Sequence, residues 1–380
     1  MTTVSALPDF DAEPLWRKTP LIYSEGISQR LGCRCYLKLE NLQFSHSFKY
    51  RGQSLFAQHA LATHGPGAHL VIASGGNAGL ALALAARHLG LRCTVFLPLG
   101  TQALVPLLER VSATVQLGGR DYDGACKAAK EFVGWTDKAV MAYAYEEPLL
   151  WQGIASMVQE ISTQLPNGVK PDAIFCSVGG GGLIGGTMVG CSQVGWDDVP
   201  VIAMETHGTA CFRHSVLLNE DDTYVLPEGV VESVDPTHGV KLATLPSITS
   251  RASSLGAISP SAGVVKIALE RSGPVKCVSI ADEVAMRAAA EFADEQKMLV
   301  ELASSTTLAS AYVPSLFEKI LPAANGEESS KERAVVFIVC GGIRISLSDL
   351  AGYQGFLGED GDGNEAAREV FIHGERWRME

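Results

Sequence analysis

Asp172-Ala173-Ile174-Phe175-Cys176-Ser177 runs into Val178-Gly179-Gly180-Gly181-Gly182-Leu183-Ile184. The first six residues read as a buried strand, the four glycines as a loop, and the apolar stretch beyond as the start of a helix. Such a loop leaves backbone N–H groups unpaired at the helix N-terminus. The helix dipole favours an anion there, by roughly 0.3–1 kcal/mol when exposed and up to about 2 when partly buried. Glycines suit the position because no side chain blocks close approach. A loop required only for tight packing is the bland alternative.

The alternation extends on both sides of this stretch. Before it, strands are expected at Leu70–Ala73, Cys93–Leu97, Ala113–Leu117 and Ala139–Ala142, with helices at Ala78–Leu89, Gln102–Val111 and Tyr122–Phe132. A long helix over Leu149–Gln164 leads into the glycine segment. Strands at Val199–Met204 and Ala334–Cys340 and a helix at Glu283–Gln296 follow. Short strands alternating with helices give right-handed βαβ units and parallel sheets. The expectation is an α/β protein of two lobes with parallel or mixed sheets and the ligand between them. Residues 1–52 plus 148–355 make the large lobe and 53–147 the small one; 356–380 form a peripheral tail. Asn219–His238, rich in Asp, Glu, Pro and Gly, reads as a surface excursion, and Asn325–Arg333 as a polar loop.

The 380 residues are 47% hydrophobic and 19% charged, enough for a substantial core, and the net charge of −12 disfavours nucleic acid or an anionic membrane as partner. No apolar run approaches the ~20 residues of a membrane span. Met1–Trp16 has no signal-peptide pattern. Nine cysteines without metal spacing suggest reduced thiols in a cytoplasmic protein.

Three further segments carry chemistry. Lys49 lies in Ser45-His46-Ser47-Phe48-Lys49-Tyr50-Arg51-Gly52, a small-polar turn rather than a helix face. A lysine amine condenses with aldehydes once burial or a neighbouring cation lowers its pKa. Arg51 either supplies that cation or anchors a carboxylate elsewhere. Ser74-Gly75-Gly76-Asn77-Ala78-Gly79 is a second strand-to-helix loop, suited to a carboxylate or to ordinary capping. Cys340 ends a strand before Gly341-Gly342, as a weak partner for a ring nitrogen or as a core thiol. A rival reading exists: Gly180, Gly182 and Gly185 satisfy G-x-G-x-x-G, and Glu205 follows twenty residues later, as in NAD-binding dehydrogenases. That reading leaves Lys49 and Asn77 without a role. A lysine plus a phosphate cradle points instead to pyridoxal phosphate.

Taken together, Ser47-Phe48-Lys49-x-Arg51-Gly52, Ser74–Gly79, Pro148-Leu149-Leu150-Trp151-x-Gly153, Ser177–Ile184, Met204-Glu205-Thr206-His207-Gly208, Leu245-Pro246-x-Ile248-Thr249-Ser250, Met298-Leu299-Val300-Glu301 and Val339-Cys340-Gly341-Gly342 resemble the fold type II pyridoxal-phosphate enzymes. Within them the pattern is similar to the serine/threonine dehydratases of the animal liver type. The resemblance implies a tryptophan synthase β-like fold and a Schiff base on Lys49. It implies a ring hydroxyl held by Asn77 and a phosphate on Gly179, Gly180, Gly181, Gly182 and Leu183. Cys340 would face the pyridine nitrogen, and Ser74, Gly75, Gly76 and Asn77 would hold the substrate carboxylate. It also implies a monovalent cation, such as potassium, at Gly179, Glu205, Thr209 and Leu255, and a homodimer.

Several positions depart from that pattern. His46 stands where glycine is usual, Ala144-Tyr145 replaces a pair with phenylalanine before the acidic residues, Ala303-Ser304-Ser305 replaces a Pro-Ala-Cys-Gly run, and Ile343-Arg344 replaces small polar residues and asparagine. The cofactor set is intact while the substrate wall differs. The expected activity is β-elimination from L-serine or L-threonine, giving pyruvate or 2-oxobutanoate and ammonia. The alternatives are a β-replacement synthase or racemase using the same cofactor, or action on a specialised hydroxy amino acid.

Overall fold

The computed structural model describes residues 13–323, 333–360 and 368–379. In chain order the strands are β1 (Leu21–Tyr23), β2 (Arg34–Leu39), β3 (His69–Ala73), β4 (Arg92–Leu97), β5 (Thr114–Leu117), β6 (Ala139–Ala142) and β7 (Ala173–Ser177). After them come β8 (Val201–Thr206), β9 (Val231–Asp235), β10 (Val240–Thr244), β11 (Val275–Ile280), β12 (Ala334–Val339), β13 (Glu369–Ile372) and β14 (Glu375–Arg378).

Two sheets organise the chain. One is fully parallel, in the order β5-β4-β3-β6. The other runs β1-β2-β12-β7-β8-β11-β13-β14 and is parallel from β2 to β11, with antiparallel pairs at both edges. Mixed edges on a parallel centre follow the α/β expectation. Every residue of β7 and β12 is buried. Strands covered on both faces carry continuous apolar runs rather than alternation, and these two do. Phe175 of β7 stacks on Phe337 of β12 with ring centroids 4.7 Å apart. Each such fully buried side chain contributes roughly 1.5–3 kcal/mol.

Helix Pro148–Gln164 lies against helix Gly182–Gln193, which directly follows the glycine loop. A Cβ on Gly190 would stand 2.7 Å from the Ala155 carbonyl, and one on Gly186 would overlap Ile154. The glycines beyond the loop thus let two helices touch, which fixes the direction of the helix N-terminus.

The structure differs from expectation in three places. The helix expected over Gln102–Val111 is a 3₁₀ turn, Gln102–Leu104, then a short α-helix, Val105–Arg110. Pro106 has no N–H to return to the Gln102 carbonyl, so one continuous helix cannot form. The Asn219–His238 excursion contains β9, which pairs with β10 as a separate two-stranded ribbon. Asn219 bonds both the N–H and the carbonyl of Lys241 at 2.9 and 2.8 Å, tying the ribbon to the preceding helix. Almost every β9 residue is exposed or nearly so, so its sequence carries no alternation to read. The residues after 355 are not a peripheral tail. Helix Leu347–Asp360 continues past that point, and β13 joins the large sheet beside β11, with Val370 fully buried and Ile372 6% exposed. Acidic and glycine-rich composition before the hairpin hid it; four-residue strands are too short to show a period. The Asn325–Arg333 loop lies, but for Arg333, outside the described residues.

Candidate active site

The turn at residues 45–48 is laced to the end of β12. Phe48 N–H donates to the Cys340 carbonyl at 3.1 Å, and Gly342 N–H to the His46 carbonyl at 2.8 Å. His46 has φ 58°, a left-handed conformation, which explains why glycine is the usual residue there. The turn expected to run to Gly52 stops at Phe48: helix Lys49–His64 begins at Lys49, so the lysine lies on the first turn of a helix whose start the lacing fixes. Lys49 Nζ donates to the Ala144 carbonyl at 2.6 Å. Desolvation lowers its pKa to about 8, against the opposing pull of Cys340 and Glu301. Arg51 is not the cause. Its fully buried guanidinium binds Glu40 at 2.7 and 2.7 Å and Glu160 at 2.7 and 2.8 Å, and Lys38 joins Glu160 at 2.6 Å. The arginine anchors carboxylates behind the lysine turn.

Lys49, Asn77, Cys340 and the loop Gly179–Leu183 line one cavity between the sheets. Residues up to 291 positions apart in sequence meet there because β7 and β12 are neighbours in the large sheet, while Asn77 enters from the helix after β3. Gly181 has φ 100° and caps the helix, a conformation that demands glycine. A Cβ on Gly180 would overlap the Tyr145 ring. Tight packing therefore explains Gly180, in addition to any anion-binding role. Cys340 Sγ lies 3.5 Å from Ser177 Oγ, and burial pushes its thiol up to about 11, so it is neutral at ordinary pH.

Asn77 is not a cap residue; Gly76 occupies the cap position. Its Nδ2 donates to Glu301 Oε1 at 2.7 Å and its Oδ1 accepts from Ile343 N–H at 3.0 Å. Ser74 Oγ accepts from Gly79 N–H at 3.1 Å, the local capping role that sequence allowed. Glu301 is nearly fully buried, and desolvation raises its pKa. A Cβ on Gly342 would coincide with that carboxylate. Sequence reading gave Glu301 no role, although it lay in a quoted motif; only the fold reveals its bond to a residue 224 positions away.

Glu205, next to last in β8, is fully buried. Its oxygens accept from Phe212 and Arg213 N–H groups at 3.1 and 2.8 Å, and desolvation raises its pKa to about 8. Buried and bonded to amides at the start of helix Cys211–Glu220, it is already engaged by the protein, as the dinucleotide reading does not expect of a ribose-binding acid. Thr209 Oγ1 bonds Thr206 Oγ1 at 2.8 Å, and a Cβ on Gly179 would stand 2.8 Å from the Leu255 carbonyl. Among the described residues no group of three or more His, Cys, Asp or Glu side chains could hold a metal.

Residues 12–341 match the model of a family described as pyridoxal-phosphate dependent enzyme. The chain belongs to that family. It is 39% identical over 343 residues to a mouse (Mus musculus) protein named serine dehydratase-like, covering 89% of this chain and 94% of that one. It is 38% identical over 347 residues to a human (Homo sapiens) L-serine dehydratase/L-threonine deaminase, covering 91% and 97%. Among solved structures, a fungal L-serine ammonia-lyase from Rhizomucor miehei superposes with TM-score 0.76 at 30% identity, covering 90% of this chain and 99% of the other. The fold type II architecture expected from sequence is thus the observed one. No described helix is long and apolar enough to cross a membrane.

Proposed function

We propose that this enzyme is an L-serine/L-threonine ammonia-lyase, releasing pyruvate or 2-oxobutanoate and ammonia by β-elimination. The observation that carries the reading is the convergence of the Lys49 amine, the Gly179–Leu183 loop and the neutral Cys340 thiol on one cavity. Pyridoxal phosphate fits this donor set. An amine with pKa about 8 would take the aldehyde, amides freed of side chains the phosphate dianion, and a thiol the ring nitrogen.

When bound, the cofactor supplies the electron sink for a carbanion at the substrate Cα. Lys49 Nζ takes the Cα proton as general base. Cys340, as a neutral thiol, would face the ring nitrogen without supplying it a proton. Asn77 would hold the ring hydroxyl, and residues 74–77 would hold the substrate carboxylate. The absence of a hydroxyl at Gly75 and Gly76 argues against a second base for racemisation.

Several finer readings belong to the same proposal. Gly179, Glu205, Thr209 and Leu255 would hold a potassium ion; residues 53–147 act as a smaller lobe; the protein is a cytoplasmic homodimer with free thiols. All nine cysteines are unpaired in support of the last point.

The test is keto-acid release from L-serine, L-threonine and β-substituted analogues, with D-serine formation read in parallel. Lys49→Ala should bind cofactor only non-covalently, lose the borohydride-sensitive yellow colour and fall at least about 10³-fold in turnover, because base and tether vanish together. Undiminished pyruvate release by that variant would end the proposal.

A further inference from the structure

Arg344 stands where the resemblance leads one to expect asparagine, and its side chain reaches the Gly75-Gly76 loop. Its Nη2 donates to the Gly75 carbonyl and its Nη1 to Ser253 Oγ at 3.0 Å. The guanidinium lies along the loop: a Cβ on Gly76 would stand 3.4 Å from its Nε and 3.5 Å from its Nη2. Its backbone N–H donates to Glu301 Oε2 at 3.2 Å, but the guanidinium itself pairs with no carboxylate among the described residues. A guanidinium has five donors in a rigid fork matched to a carboxylate, and here two rest on neutral oxygens. The guanidinium hydrogen-bonds only neutral oxygens, feels the Glu301 carboxylate through space, and lies beside the N-terminus of the thirteen-residue helix Asn77–Leu89, where an anion is favoured.

We infer that Arg344 is a substrate-binding residue that grips the α-carboxylate of the amino acid against the Gly75-Gly76-Asn77 loop, so that recognition rests on an ion pair as well as on loop amides. This rests on the proposed reading of residues 74–77 as the carboxylate loop. Arg344 follows β12 in the chain and lies against Gly75 and Gly76, the residues just before helix Asn77–Leu89, so loop amides and a charged fork would share the carboxylate. Charge-assisted, forked hydrogen bonds are roughly twice as strong as neutral ones. The residue also bridges Ser253 and Gly75, and a purely structural clasp would have the same contacts. The two roles differ in what they discriminate: an ion pair distinguishes a carboxylate from a carboxamide, a clasp does not.

The experiment uses the holoenzyme, with bound cofactor verified by absorbance, as wild type, Arg344→Asn and Arg344→Lys. L-Alanine and L-alaninamide serve as probes without a β-leaving group, and binding is read from the change in cofactor absorbance. In Arg344→Asn the apparent Kd for L-alanine and the KM for L-serine should rise roughly 10–100-fold, with kcat within about threefold, while L-alaninamide binding stays within about twofold. Arg344→Lys should fall between, because the charge remains but the fork is lost. Equal weakening toward acid and amide, or no change toward either, overturns the inference. If wild type releases no keto acid from L-serine, the proposed activity fails, and the alanine-against-alaninamide comparison still decides the role of Arg344.

Discussion

Lys49 carries its charge only below about pH 8, because the surrounding protein desolvates the ammonium more than Cys340 and Glu301 stabilise it. An unperturbed lysine loses its proton near 10.4. Uptake of pyridoxal phosphate by the stripped protein needs the neutral amine. Its rate should therefore climb through a midpoint near pH 8, which stopped-flow absorbance measures; a midpoint near 10 would contradict the assigned lysine. The same shift bears on stability. Between about 8 and 10.5 the unfolded chain holds the proton that the folded chain has released, so this residue's contribution makes the cofactor-free protein more stable as pH rises through that window. Arg51 shows the opposite use of a buried cation. Truncating it leaves Glu40 and Glu160 with only Lys38 and neutral donors. Arg51→Ala should cost about 3–5 kcal/mol in urea unfolding, because removing one member of a buried ion group strands the others.

At the scale of elements, the glycine loop serves two purposes that sequence could not separate. Gly181 is needed for its backbone conformation, Gly180 for the Tyr145 ring, and the helix N-terminus behind them for its unpaired amides. Strand β7, the loop and the helix after it were legible because a continuous apolar run, four glycines and a second apolar run have few other solutions. The β13–β14 hairpin was not legible, since its buried residues make sense only once β11 is known to have an open edge. Truncation after Asp360 should expose that edge and the faces covered by Val370 and Ile372. Losing those two side chains alone costs at least about 3 kcal/mol. A lower melting temperature and lower soluble yield are the expected readouts, and an unchanged melting curve would show that the hairpin adds nothing.

The whole molecule places its cavity between two sheets, with Lys49 and Cys340 held together by the β12 lacing and Asn77 arriving from the smaller sheet. The proposed potassium site lies behind the glycine loop, where Gly179 packs on Leu255. Exchanging potassium for tetramethylammonium should lower both activity and melting temperature. The loss should be largely absent in Glu205→Gln, which begins with less of either. Equal behaviour of wild type in the two salts would remove the cation from the proposal.

Local chemistry is written in the chain. Apolar runs, glycines at strand exits and a lysine beside small polar residues made legible the α/β class and singled out the lysine, the glycine loop and the thiol that meet at one cavity, because each signal depends on residues adjacent in sequence. Tertiary structure alone decided that Arg51 faces away from the lysine, that Glu301 meets Asn77, that Arg344 lies across the Gly75-Gly76 loop, and that the last strands close the sheet. Those outcomes depend on which side chains burial brings together across hundreds of residues. A buried charge takes whichever partner the packing presents, and no spacing rule encodes that choice.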